Sequence, residues 1–189
     1  AMENSAWDKA EEAFSTAHEL FPDFTAESAP LKQLIEIYKQ QNNQEKLKET
    51  LHKEIAWDPT DYTARKELLN LQIFDNQWHE AIATAQKALA IDPFDLSVYQ
   101  SLITAYDKLD QEEKAVAITR QLEAMDKEHR TRYRIKRIEL LQESAQWEQA
   151  KVETVKLLED YPHNWKAQQM LLSLVEREEK PQNEKYEIH

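Results

Sequence analysis

The 189-residue sequence contains no glycine and no cysteine, and only six prolines interrupt it. Without glycine there is no glycine-rich loop to cradle a phosphate and no glycine-flanked serine elbow. Hairpin-rich β structure is disfavoured too, because its tight turns lean on glycine. Without cysteine there are no structural disulfides, thiolate zinc sites or cysteine nucleophiles, and no compartment follows from that. No run of about 18 apolar residues occurs, so no segment is expected to span a membrane. Cations are also scarce: 24 Lys and Arg against 36 Asp and Glu leave a formal net charge of −12. A chain this acidic, with a pI near 5.0, is a poor general binder of nucleic acid or anionic lipid.

Apolar residues make up 41% of the chain, enough for a core, and charged residues 32%, which suits an extended surface. The most informative feature is a recurrence. A tryptophan, an alanine three residues on and a proline twelve after that stand at Trp7/Ala10/Pro22, Trp78/Ala81/Pro93 and Trp147/Ala150/Pro162. Weaker copies at Gln44/Leu47/Pro59 and Glu112/Ala115/Lys127 fill the gap. The anchors Ala10, Leu47, Ala81, Ala115 and Ala150 are thus 37, 34, 34 and 35 residues apart. A period of that length means stacked helical hairpins, not one domain around a central core.

Apolar spacing gives two helices per period. Tyr99, Leu102, Ile103 and Tyr106 follow the i, i+3, i+4, i+7 rule, and Ala115, Ile118, Leu122 and Met125 form a second stripe beyond the polar break at Asp110-Gln111. Pro93 ends the preceding helix, and Asp95 is placed to cap the next. The same parse yields ten helices. A lone second helix, about Ala6 to Leu20, belongs to a partial repeat over 1–27. Four full repeats follow at 28–61, 62–95, 96–129 and 131–164, and 165–189 holds a closing helix, about Trp165 to Glu178, with a frayed polar tail from Pro181 to His189. Phe21–Pro30 carries the three extra residues of the first interval and is expected to be the loosest connection. No signal peptide is visible. Ala1 before Met2 reads as a cloning remnant, and the opening inside a repeat reads as a piece cut from a longer protein.

At these residues the chain resembles the tetratricopeptide repeat (TPR) family, over roughly residues 6–178. The family pattern places an aromatic, Leu-Gly and Tyr on the first helix, then Ala, an aromatic and Pro on the second. Tyr99, Leu102, Ile103, Tyr106 and Ala115 reproduce it, with isoleucine where glycine is usual. Trp78, Ala81, Ala88 and Pro93 match the second-helix half, as do Trp7, Ala10, Phe14, Ala17 and Pro22. The resemblance implies an all-α, right-handed superhelical stack of helix-turn-helix hairpins, with first helices lining a concave groove. That groove would display Lys32, Glu36, Lys39, Lys66, Asn70, Phe74, Gln100, Thr104, Lys108, Arg132 and Lys136.

No catalytic constellation emerges. The repeating tryptophans are expected to pack at the elbows of their own hairpins. His79-Glu80 begins like a zinc-protease helix, but Ala83 stands where the second histidine belongs, so no metal and no cofactor is expected. One segment runs against the overall charge: His129-Arg130-Thr131-Arg132-Tyr133-Arg134-Ile135-Lys136-Arg137 loads cations onto a helix start, where the macrodipole disfavours them. Either Glu123, Asp126 and Glu128 compensate, or an external anion does. The resemblance adds a candidate ligand site. Some peptide-binding members of the family hold a C-terminal carboxylate between a lysine and an asparagine four apart, an asparagine one repeat on, and two basic residues four apart in the third. In register these positions are Lys66, Asn70, Ser101, Arg132 and Lys136. Serine lacks the amide's two donors, and lysine at 136 lacks the bidentate fork of arginine.

The sequence therefore points to a non-catalytic protein–protein interaction scaffold. Its partner is a protein or peptide, with an acidic segment or free C-terminus as the candidate ligand chemistry; neither nucleic acid nor direct membrane insertion is expected. The alternative is an accessory repeat domain that positions substrate for a catalytic domain elsewhere in the parent protein.

Overall fold

The computed structural model describes residues 2–21 and 29–179, which form ten α-helices and no strand. They are α1 (Met2–Leu20), α2 (Pro30–Gln40), α3 (Gln44–Trp57), α4 (Tyr62–Phe74), α5 (Trp78–Ile91), α6 (Leu96–Lys108), α7 (Glu112–Met125), α8 (Arg130–Glu143), α9 (Trp147–Asp160) and α10 (Trp165–Glu179). They fall into two compact units, the first ending at Ser101 and the second beginning at Leu102, within α6. In the first unit α1 packs on α2, α2 on α3, α3 on α4 and α4 on α5. In the second, α7 packs on α8, α8 on α9 and α9 on α10. Residues 22–28 and 180–189 lie outside the described residues, so Pro22, most of the connection expected to be loosest and the expected frayed tail do too.

The hairpin turns solve a problem that the missing glycines create. Asn42, Asn76, Asp110 and Ala145 each adopt a left-handed φ, between 52° and 59°, the conformation usually left to glycine after a helix end. In each turn the next N–H reaches back five residues: Asn43 to Tyr38 at 2.9 Å, and Gln77 to Gln72, Gln111 to Tyr106 and Gln146 to Leu141 at 2.8 Å. This is the Schellman closure, which satisfies carbonyls left over at the helix end. Asparagine and aspartate tolerate that backbone comparatively well; alanine has no side-chain compensation. At the other end of the hairpins, the first helices α4, α6 and α10 start from carboxylate or amide caps, whereas α2 and α8 have no side-chain cap. Asp61 accepts from the Ala64 N–H at 2.9 Å, Asp95 from the Ser97 N–H at 2.8 Å, and Asn164 from the Ala167 N–H at 3.0 Å.

Second helices bury a small anchor. Ala81, Ala115 and Ala150 have no exposed surface and Leu47 is buried, so the backbones of paired helices approach closely there. Thr50, Thr84, Thr119 and Thr154 are also buried. Three of these hydroxyls donate to carbonyls of their own helix: Thr50 to Lys46 at 2.7 Å, Thr119 to Val116 at 2.7 Å and Thr154 to Ala150 at 2.6 Å. The threonines thus bring polar atoms into the core without needing a partner on the facing helix.

The repeat prolines stop helices, as expected of Pro93, and they do so from outside the core. Pro93 and Pro162 are both exposed, just beyond the ends of α5 and α9. Their contribution is to the backbone. The residues before them, Asp92 and Tyr161, close the last helical bonds at 2.9 Å, to Ala88 and Leu157, and then leave the helix with ψ of 94° and 73°. A following proline ring favours that departure, because it clashes with a helical residue before it, although Asp126 makes the same departure, with ψ of 86°, before Lys127. The proline carbonyls then accept from the next first helix: Pro93 from the Tyr99 hydroxyl at 3.1 Å, and Pro162 from the Gln168 side-chain amide at 2.7 Å. The proline recurs in the sequence because it stops a helix, so its ring has no need of a place in the core.

Helix α1 starts at Met2, before the expected Ala6, because no helix breaker stands among the residues between. Its apolar flank is also less open than its position suggests. Trp7, Ala10 and Phe14 are half-buried against the cluster of Leu31, Leu34, Leu47 and Leu68.

Candidate functional site

The first helices of the first unit carry the residues expected to face a ligand. Between α2 and α4 lies an open cleft of about 370 Å³, lined among others by Lys32, Glu36, Lys39, Asp61, Thr63 and Glu67. Its cations are already engaged. Lys39 bonds Glu36 at 2.9 Å and Glu67, on the next first helix, at 2.5 Å. Lys32 bonds Asp61 at 3.2 Å and lies 3.8 Å from the buried Glu54. Lys66 bonds Asp95 at 2.5 Å, and the Tyr62 hydroxyl donates to the same oxygen.

Two of these contacts are one contact repeated. Lys32 and Lys66 are 34 residues apart, as are Asp61 and Asp95. In each case a lysine on a first helix reaches the aspartate that caps the following first helix. Nothing in the apolar periodicity points to this pairing. The signal was the recurrence of Lys and Asp at fixed offsets in the repeat.

The electrostatics follow. Burial pushes the Asp95 carboxyl up, but hydrogen bonds from Lys66, Ser97 and Tyr62 outweigh it and hold the group well below the usual carboxylate range. Burial and the bond to Asp95 both raise the Tyr62 phenol. Hydrogen bonds that Lys39 donates to Glu67 and Glu36 raise it against the opposing effect of burial. Glu54 goes the other way: burial raises its carboxyl although Lys32 opposes the change, and its Oε1 is a buried acceptor with no hydrogen-bond partner among the described residues.

The five carboxylate-holding candidates divide between the units. Lys66 and Asn70 sit one turn apart on α4, Lys66 paired with Asp95 and Asn70 exposed. Ser101, on α6, turns its hydroxyl back to the Ser97 carbonyl at 3.2 Å. In the second unit Arg132 is exposed on α8, and Lys136 lies 3.6 Å from Asp107. Phe74, next along the Asn70 face, is 71% exposed.

The cationic segment at 129–137 is largely neutralised from within. Arg137 bonds Glu123 at 2.8 Å and Glu153 at 2.9 Å. Arg134 bonds Asp160 at 2.5 Å. His129 Nδ1 lies 3.0 Å from Asp126, which also accepts from the Tyr133 hydroxyl at 2.7 Å. Burial and that bond push the Tyr133 phenol up to about 12. Glu123 and Asp126 compensate as the sequence suggests. The other carboxylates are Asp107, beside Lys136, and Glu153 and Asp160 of α9 rather than Glu128, because Arg134 and Arg137 point into the hairpin core instead of outward.

The tryptophans pack between repeats as well as at elbows. Trp147 lines a cleft with Ala145 and Gln146 of its own turn and with Leu174 and Arg177 of α10. The Arg177 guanidinium lies 3.9 Å from the indole centre, a cation–π contact. Trp7 likewise lines a cleft with Gln40, the last residue of α2, and Gln41 just beyond it. Among the described residues no group of three or more His, Asp or Glu is placed to hold a metal, and no helix is long and apolar enough to cross a membrane.

No family model matches the sequence, and no curated protein matches it. Solved structures do. YrrB, a TPR protein with an unusual peptide-binding site, is 19% identical with a TM-score of 0.59, over 91% of this chain and 87% of that one. MamA is 20% identical with a TM-score of 0.61, over 84% of both chains. A tetratricopeptide repeat protein from Parabacteroides merdae is 16% identical with a TM-score of 0.60, over 95% of this chain and 70% of its own. The chain has the tetratricopeptide repeat fold, a helical repeat built from antiparallel hairpins.

Proposed function

We propose that this chain is a non-catalytic protein-interaction scaffold that holds a peptide or a partner's surface against its first helices. The observation that carries the reading is the cleft between α2 and α4, lined by charged side chains from consecutive hairpins. An extended helical surface of this kind suits a polypeptide ligand, and the similar fold of YrrB, a TPR protein with a peptide-binding site, supports it.

Lys66, Asn70, Ser101, Arg132 and Lys136 are the proposed contacts for an acidic segment or a free C-terminus. Such a ligand has to draw Lys66 from Asp95 and Lys136 from Asp107, so binding is an exchange of ion-pair partners. Exchange between partly exposed charges is weak and salt-sensitive. A screen of acidic-ended peptides tests this. Lys66→Glu should abolish binding, and Asp95→Asn, which retains an acceptor for the α6 cap while freeing Lys66, should tighten it. Lys151→Glu, on the second helix α9, should leave it unchanged. Equal binding by all three variants removes the carboxylate-holding reading. Retention only of peptides without acidic groups keeps the scaffold and discards the ligand chemistry.

A further inference from the structure

Glu54 puts a carboxyl in a place where the other repeats put apolar side chains. It stands seven residues beyond the anchor Leu47, and Ala88, Leu122 and Leu157 at that offset on α5, α7 and α9 are fully buried. Glu54 itself is only 2% exposed, and its Oε1 is the orphaned acceptor described above. A charge so placed is costly unless its neighbours compensate it.

The helices packed on α3 are α2 and α4, and their charged groups converge on Glu54. Lys32 of α2 brings its ammonium to 3.8 Å from Oε1 while bonding Asp61 at 3.2 Å. Asp61, the cap of α4, lies within hydrogen-bonding reach of the Glu54 carboxyl, and Asp58, in the turn after α3, acts on it at longer range. Two carboxyl groups bond each other only through a proton. Arg65, the buried cation on α4, is turned to the Pro59 carbonyl at 2.5 Å. The equivalent joint one repeat on lacks this arrangement: Lys66 bonds Asp95, and Ala88 stands where Glu54 would.

We propose that Glu54 is a positioning residue that latches Lys32 of the α2–α4 cleft and releases it on taking up a proton. With Glu54 ionised, Lys32 faces two carboxylates and is held against the floor of the cleft. With Glu54 protonated, its hydroxyl donates to Asp61. Lys32 then faces a single negative charge, already shared with that hydroxyl and the Ala64 N–H, and its ammonium can turn to an anion in the cleft. Burial raises the Glu54 carboxyl, Lys32 opposes the change, and Asp61 and Asp58 add to the rise, so the proton binds above the ordinary carboxylate range. The consequence for ligands rests on the reading that this cleft holds a polypeptide. An acidic ligand should bind more tightly as pH falls through the Glu54 step, by up to about tenfold per pH unit, the limit for one coupled proton.

An amide NMR titration of the 189-residue chain tests the latch without any ligand. The Ala64 amide, which donates to Asp61 at 2.9 Å, should show a step above the ordinary carboxylate range. Glu54→Gln should lose that step. The Ser97 amide, bonded to Asp95 at 2.8 Å, should show none in either protein. Lys32→Gln removes the charge that favours the ionised Glu54, so the Ala64 step should move to higher pH. A missing step, a step that survives Glu54→Gln, or one that Lys32→Gln leaves in place overturns the proposal. The acidic-ended peptides then report on the cleft. Wild type should bind them more tightly below the step than above it, whereas Glu54→Gln, neutral throughout, should bind tightly on both sides. The same pH dependence in both proteins overturns the release of Lys32. Peptides that bind neither protein, with the Ala64 step lost and moved as expected, remove the acidic ligand and leave the latch established.

Discussion

Ala145 holds a backbone conformation that side chains with a Cβ resist, with φ of 57°. Replacing it by glycine removes that clash, so Ala145→Gly should stabilise the second unit by about 1 kcal/mol, even after the extra freedom glycine brings to the unfolded chain. Asn42→Gly and Asn76→Gly should be close to neutral, since asparagine already tolerates the left-handed region. Urea midpoints for the three variants check the contrast; equal shifts would mean the turn is not strained at Ala145. Glu54 offers a second test. A carboxyl whose pKa is raised by folding binds its proton more tightly in the folded state, so stability falls as pH rises through its raised value. Glu54→Gln should therefore stabilise at neutral pH by about 1 kcal/mol, and the gain should vanish below about pH 4, where both states carry the proton. Asp95 acts in the reverse sense. Held low, it contributes stability at neutral pH that is lost as pH falls through the carboxylate range.

The helices were legible in the sequence because Trp, Ala and Pro mark the same points of three periods and weaker copies fill the other two, and Ala81, Ala115 and Ala150 are buried where that register puts them. The turns were legible as breaks but not as conformations, since the usual marker of a left-handed residue is glycine and the chain has none. Helix α8 fits the apolar pattern worst for a physical reason: Arg134 and Arg137 occupy buried positions and are neutralised by carboxylates from α7 and α9. A pattern of apolar residues cannot report a core position filled by a paired charge. Arg137→Ala leaves Glu123 only Arg134, at 3.9 Å, and Glu153 only Arg120, at 3.8 Å, and both carboxylates are partly exposed. The loss should be about 2–3 kcal/mol, below that of a fully buried pair. Thermal unfolding measures it, and Arg132→Ala on the exposed side of the same helix should change little. The candidate ligand residues were legible only by family register; of their ion pairs, Lys66–Asp95 left a trace in the 34-residue recurrence of Lys and Asp, and Lys136–Asp107 left none, because Asp107 lies far from Lys136 in sequence.

At the scale of the whole chain, stability in a repeat architecture is a sum of hairpins and their nearest neighbours. Ala81→Leu overfills the crossing of α4 and α5 and should cost about 1–3 kcal/mol, whereas Glu80→Leu on the exposed neighbouring position should not. The damage should stay local. Amide exchange should accelerate in α4 and α5 and remain at its wild-type rate in α8 and α9, which lie in the other compact unit. Uniform acceleration along the chain would show that it opens as a single cooperative body.

Asp61 and Asp95 do the same two things, capping the helix they precede and holding the lysine of the first helix before. The segment 62–95 is therefore bounded by two equivalent joints. Excising it brings Asp61 directly before Leu96, so that α6 still starts from a carboxylate and Lys32 still meets its counter-ion. A cut from the same point that ends inside a helix leaves that helix without its cap and Lys32 without its partner. Between these two joints length is a quantised variable, free to change by the whole hairpin and resistant to change by anything less.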